Sequence, residues 1–204
     1  MNRKKAKQRP ALRRVAEARL PTRFGFFRIL GLEGRGGQSL VALVKGNPRR
    51  RRAPLVRIHS QCLTGDVLMS TRCDCRAQLE LALETIARKG AGVLIYEPQE
   101  GRGIGLLNKL KAYELQDAGM DTVEANRHLG FPADRRDYSL AGSALRFLGL
   151  TSVRLLSNNP DKVRALESAG IRVVERVPCQ PAPARGNRSY LRVKKEKMGH
   201  LLAL

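Results

Sequence analysis

A chain of 204 residues with 42% apolar side chains has enough material for one sizeable core, which excludes a disordered chain, and no apolar run approaches the length of a membrane span. A net charge of +21 favours polyanionic ligands, yet 4% aromatics and no tryptophan exclude a surface built to stack many bases. Residues 1–14 carry seven Lys/Arg and residues 49–52 four more; without them +10 remains, which suits a nucleotide triphosphate as well as DNA.

In chain order, residues 1–14 read as a flexible basic tail ahead of one domain over 15–204. Residues 15–30 contain Pro21 and Gly25 before a β-prone run, GRGG at 34–37 is a turn, and SLVALVK (39–45) is a strand. After an NPRRRR loop, PLVRIHS (54–60) is a second strand. Leu79, Ala82, Leu83, Ile86 and Ala87 then fall on one face of a helix that Gly90 stops. AGVLIYE (91–97) is a continuous apolar strand expected to be buried on both faces. A PQEGRGIG loop leads to a helix over about 106–118, and residues 139–148 give another. SVRLLS (152–157) is a strand, Asn159 and Pro160 cap a helix ending at Gly170, and IRVVERV (171–177) is the next strand. After a 178–187 loop, RVKKEKMGHLL reads as a short helix. The order predicts a mixed α/β fold, β-rich at the N-terminal side and followed by βαβ-type units with parallel strands.

The chemistry centres on 57–79, RIHSQCLTGDVLMSTRCDCRAQL, which holds Cys62, Cys73 and Cys75 at Cys-x10-Cys-x-Cys spacing. With no secretory signal ahead of them, a reducing, cytoplasmic setting is expected, and thiols there are metal ligands more often than disulfides. Three ligands are the number a catalytic zinc site keeps, with water in the fourth position. Three small buried thiols without metal remain the plainer reading. His59 lies on the strand face opposite Cys62 and is not counted as a ligand. The glycines of QEGRGIG, at 101, 103 and 105, let backbone approach phosphates before a helix, or make an ordinary turn. Glu100 and Arg102 beside them suit a purine edge and a phosphate. Lys162, in a first helical turn, opposes the helix dipole, as an anionic ligand would explain. Asp134 and Arg136 are a base-and-cation pair or a surface ion pair.

In order and wording, RVAEARLPTRFG, VRIHSQCLTGD, RCDC, QEGRGIGLLNKLKAYELQDAGMDTVEAN, LGFPADRRDYSL, VRLLSNNPDK and KMGHLL resemble the GTP cyclohydrolase II family over nearly everything after residue 14. The resemblance implies zinc held by Cys62, Cys73 and Cys75 plus a water, and Mg²⁺ with the triphosphate. It implies removal of C8 of GTP as formate, release of diphosphate, and a diaminopyrimidinone product at the start of riboflavin synthesis. It places GTP contacts at Arg57, Ile58, His59, Ser60, Gln61, Gln78, Glu100, Gly101, Arg102, Thr122, Ser157 and Lys162. It makes Asp134 the proton acceptor, Arg136 the nucleophile and Tyr113 a neighbour of the reacting groups; because guanidinium stays protonated, phosphate stabilisation is the other role open to Arg136. It also implies a homodimer.

Four positions depart from the family pattern. Gln61 replaces a glutamate beside the first cysteine, and Arg76 a glycine after RCDC, where a positive-φ turn would cost an arginine about 1 kcal/mol. Ser157 replaces threonine, and Phe26 an acidic residue. These leave in view a diverged relative that binds GTP but turns it over slowly, stops at the formamide or regulates. A basic zinc protein that binds nucleic acid through its tail ranks last.

Overall fold

In the computed structural model, which describes residues 12–182 and 185–203, seven strands share one sheet. β1 (Leu12–Thr22), β2 (Gly25–Gly34) and β3 (Ser39–Lys45) are an antiparallel meander. β4 (Leu55–Ser60), β5 (Gly92–Glu97), β6 (Ser152–Leu156) and β7 (Arg172–Val177) run parallel, and the order across the sheet is β1-β2-β3-β5-β4-β6-β7. The meander joins the parallel part through the antiparallel β3–β5 pair.

The 15–30 stretch is most of a hairpin, with Thr22 paired to Gly25 across a two-residue turn. Pro21 is tolerated because β1 is an edge strand, where a missing N–H costs no ladder bond. Leu12 to Arg14, expected in the basic tail, belong to β1, with Leu12 buried; residues 1–11 lie outside the described residues.

Among the described residues the α-helices are α1 (Cys75–Lys89), α2 (Leu106–Asp117), α3 (Thr122–His128), α4 (Ser139–Phe147), α5 (Pro160–Ser168) and α6 (Arg188–Met198). α1 starts four residues before its apolar periodicity does, so the third cysteine is already helical. α3 is too short for periodicity to reveal, but it carries a capping box between Asp121 and Glu124. α6 begins ahead of the residues that suggested it and stops at Gly199, in the left-handed conformation.

One sheet face packs Val56, Ile58, Val93, Ile95 and Leu155 against Leu145 of α4 and Leu166 of α5. The other packs Leu55, Leu94 and Leu156 against Ala82 and Ile86 of α1. Burial on both faces explains the unbroken apolar run of β5, and each such Leu or Ile contributes about 1.5–3 kcal/mol.

The connections set the site. From β4 the chain crosses to β5 on one side and later returns as β6 on the other, so the crevice opens at the carboxyl ends of β4, β5 and β6. Such a reversal point is where open α/β sheets hold ligands. The segments leaving those ends begin at Gln61, Pro98 and Ser157.

Candidate active site

Cys62 follows β4, Cys73 lies in the loop before α1, and Cys75 is the first residue of α1. Their sulfurs all lie within 4.8 Å of one another, and Cys62 Sγ is 3.7 Å from Cys73 Sγ. A tetrahedral zinc with Zn–S bonds near 2.3 Å sets sulfurs about 3.8 Å apart. Gly65 makes the room: a Cβ there would stand 2.8 Å from Cys73 Sγ and 3.1 Å from Cys62 Sγ. Hydrogen bonds among the thiols pull Cys62 well below its ordinary pKa, push Cys73 up to about 11 and push Cys75 up as well. Thiols this close oppose one another's ionisation, and a divalent cation is what lets all three ionise. The residues fit zinc.

Two devices hold this turn. Asp66 accepts from His59 Nε2 (3.1 Å), from the Tyr96 hydroxyl (2.9 Å) and from the Cys62 N–H (3.0 Å), tying the turn to β4 and β5. The His59 ring stacks on Tyr96 and faces this carboxylate, not the sulfurs. On the other side, Lys109 of α2 donates to Cys62 Sγ (3.2 Å), Thr64 Oγ1 (2.8 Å) and Glu100 Oε1 (2.7 Å). Burial works against its charge, but Glu100 and Cys62 hold its pKa above the usual lysine value. Glu100 also accepts from Leu63 N–H (2.6 Å) and Gly101 N–H (3.0 Å), so the carboxylate expected at a purine edge is engaged in holding the metal turn. The Tyr113 hydroxyl lies 3.1 Å from Thr64 Oγ1.

The cleft has two lobes. Gln61, the cysteines, Glu100, Tyr113 and Thr122 line a metal lobe. Arg57, Gln78, Ser157 and Lys162 line the second, and Ser60, Arg102 and Arg136 border both. Gly101 and Arg102 have φ of 60° and 61°, a double left-handed turn that costs arginine about 1–2 kcal/mol and sets its side chain between the lobes. Arg57 donates to Leu156 O (3.0 Å) and Gln78 Oε1 (2.6 Å). Lys162 Nζ donates to Ile58 O (2.8 Å). Burial, then Arg57 and Arg136, push Lys162 well below the ordinary lysine pKa, a field that an anion would relieve.

Asp134 and Arg136 form a largely buried two-point pair, with Arg136 Nε 2.9 Å from Asp134 Oδ1 and the second contact from its NH2. Burial raises the Asp134 pKa, but Arg136 outweighs it and holds the carboxyl below the usual range, while Arg136 itself is raised. Arg136 reaches the cleft; the Asp134 carboxylate is turned towards it. Of the twelve expected contact residues, Ile58 is the exception in placement: its side chain is in the core, and its carbonyl serves Lys162.

The profile of the GTP cyclohydrolase II family matches residues 13–178. This chain belongs to the GTP cyclohydrolase II family. It is 52% identical over 192 residues to GTP cyclohydrolase-2 of Neisseria meningitidis serogroup C, covering 94% of this chain and 98% of that one. It is 55% identical over 192 residues to GTP cyclohydrolase-2 of Escherichia coli O9:H4, with the same coverage. It is 54% identical over 188 residues to a riboflavin biosynthesis protein of Vibrio vulnificus, covering 92% of this chain and 51% of that longer one.

Against that family, the strain expected at Arg76 is absent. Arg76 is the second residue of α1, and positive φ outside glycine falls, among the described residues, only at Met69 and Arg102. Its guanidinium donates to Asp66 O (3.1 Å) and pairs with Glu80 (2.9 Å), adding a strut to the metal turn. Gln61 borders the metal lobe, with its N–H on Glu97 O (2.8 Å). Ser157 keeps a hydroxyl acceptor for Asn159 N–H (3.1 Å). Phe26 is exposed beneath Arg19. Cys179 is buried in the second core, apart from the triad. Asp66, Thr64 and Lys109 are the supporting residues that sequence reasoning missed. Lys109 carried a readable signal, a cation in the first turn of a helix, the same sign that drew attention to Lys162.

Proposed function

We propose that this chain is a zinc-dependent GTP cyclohydrolase that opens the imidazole ring of GTP. It releases formate and diphosphate and leaves 2,5-diamino-6-(5-phosphoribosylamino)pyrimidin-4-one for riboflavin synthesis. The observation that carries this reading is the junction of the lobes, where a three-thiol centre opens past Ser60, Arg102 and Arg136 into a cationic chamber. That shape suits a ligand with a purine at one end and a polyphosphate at the other.

Cys62, Cys73 and Cys75 would hold the zinc, which when bound would supply Lewis acidity and lower the pKa of a water. Lys109 and Asp66 fix Cys62, the cysteine that leaves the end of β4, and so hold the metal turn rigid. Tyr113, beside Thr64, faces the same lobe as a hydroxyl donor for the opening ring. Arg57, Arg136 and Lys162 line the lobe that would take the phosphates, and Mg²⁺ bound with the triphosphate would supply further neutralising charge. We assign Arg136 to phosphate stabilisation rather than attack, because burial works against its charge but Tyr138 and Asp134 outweigh it and keep it cationic. Asp134 aims that guanidinium, and its ionised carboxylate accepts a proton when the pair opens. Gln61, Gln78, Gly101, Thr122 and Ser157 complete the GTP contacts. The family resemblance adds a cytoplasmic homodimer; among the described residues no helix is long and apolar enough to cross a membrane.

The test is formate and diphosphate release from GTP by zinc-loaded protein with Mg²⁺. Equal amounts of both products are expected. Diphosphate without formate would mean that the reaction stops at or before the formamide and would implicate Gln61, and a Gln61→Glu variant that restored formate would identify the cause.

A further inference from the structure

The family profile ends at residue 178, yet the cationic lobe is walled by residues beyond it. Tyr190, Lys194 and His200, on α6 and just after it, line that lobe with Arg57, Arg136 and Lys162. The segment is fastened in place. Leu191 and Leu202 are buried, Leu201 N–H donates to Asn158 O (2.9 Å), and Lys197 pairs with Asp121 and Glu124 of the α3 cap.

Two side chains on this wall point to a ligand. Lys194 is buried, with Nζ 2.6 Å from Oδ1 of Asp74, the residue between Cys73 and Cys75, and 4.5 Å from the Tyr190 ring centroid. That single acceptor leaves an ammonium with further donors at the lobe. His200 has its Nε2 buried with no hydrogen-bond partner. The charges that reach it come from Lys194 on α6, Arg136 ahead of α4, Lys162 on α5 and Arg102 after β5, and all are positive. A buried ring nitrogen without a partner is costly, and cations converging on it add to the cost. A phosphate oxygen accepts from the imidazole N–H and neutralises the surrounding cations in one contact.

We propose that Lys194 and His200 bind the polyphosphate of the substrate, making α6 and the residues after it a wall of the nucleotide site. The inference rests on GTP being the substrate, but its core, a polyphosphate site completed by this segment, is tested separately. Zinc-loaded full chain would be titrated calorimetrically with GTP, guanosine and inorganic tripolyphosphate, alongside His200→Ala, Lys194→Met and Lys194→Arg.

His200→Ala and Lys194→Met are expected to weaken GTP and tripolyphosphate about tenfold each, with guanosine unaffected and Lys194→Arg retaining most of the affinity. Equal weakening of guanosine and GTP would reduce the segment to a structural brace and overturn the inference. Unchanged tripolyphosphate affinity, or none in the unsubstituted chain, would overturn it too. Where Lys194→Met fails to fold, His200→Ala decides. Absence of formate release with a normal tripolyphosphate response rejects the cyclohydrolase reading alone; formate release with indifferent variants rejects this inference alone.

Discussion

The Nζ of Lys109 lies 3.2 Å from the Sγ of Cys62, so α2, the helix after the glycine-rich loop, steadies a thiol from the end of β4. Lys109 completes its three donors with Thr64 and Glu100. Replacing it with methionine removes the cation that balances the thiolates. Zinc affinity is expected to fall about 10–100-fold, as for other groups that orient metal ligands. Chelator competition reads this directly; unchanged affinity would show that the contact is incidental.

Gly65→Ala is the sharper test of the metal fit. Its Cβ would lie 2.8 Å from Cys73 Sγ, closer than such contacts occur, and the obstacle is a ligand atom. Purified protein is expected to hold well under one zinc per chain, with the apo fold retained by circular dichroism. Full zinc content would mean that the turn relaxes around the methyl group.

The Asp134–Arg136 pair predicts asymmetric consequences. Asp134→Asn leaves a largely buried guanidinium without its carboxylate, costing about 2 kcal/mol at pH 7, below the fully buried range because the pair is partly exposed. Since the folded pKa of Asp134 is depressed, its stabilisation is present above the ordinary value of about 3.9 and is lost as pH falls through the folded one. The gap between parent and variant in urea unfolding should therefore close below about pH 4. Arg136→Lys keeps the charge but loses the planar two-point contact, and turnover should fall at least about tenfold.

Glu97 works in the opposite direction. It is fully buried, with Oε1 unpartnered; burial pushes its pKa up to about 7, with Lys162 opposing and Asp137 assisting. A raised carboxyl means that the folded state keeps a proton the unfolded state has released. Stability then declines as pH rises from 4.5 towards about 7. Glu97→Gln should gain on the parent across that window and hold its advantage above it. Denaturant midpoints at pH 5 and pH 8 that shift equally for both would contradict this.

What was legible in the sequence follows from where the physics is local. Cys62, Cys73 and Cys75 could be grouped because ligand count and thiol softness are properties of the residues themselves. The β5 run was readable because burial on both faces leaves Val93, Leu94 and Ile95 in unbroken succession. Lys109 was not singled out, because its partners at 62, 64 and 100 come from two other segments. Arg76 drew an expectation of strain because spacing cannot tell that α1 has already begun at Cys75. The role of α6 was hidden for a third reason: an amphipathic basic helix gives no sign of which cleft it will wall.

Tyrosine placement carries a practical consequence. The chain has no tryptophan and four tyrosines, at 96, 113, 138 and 190. Tyr96 bonds Asp66, Tyr113 faces Thr64, Tyr138 lies beneath Lys162 and Arg136, and Tyr190 sits by Lys194. All four tyrosines therefore touch side chains of the metal turn or the cationic lobe, and tyrosine emission reports on that site without a label.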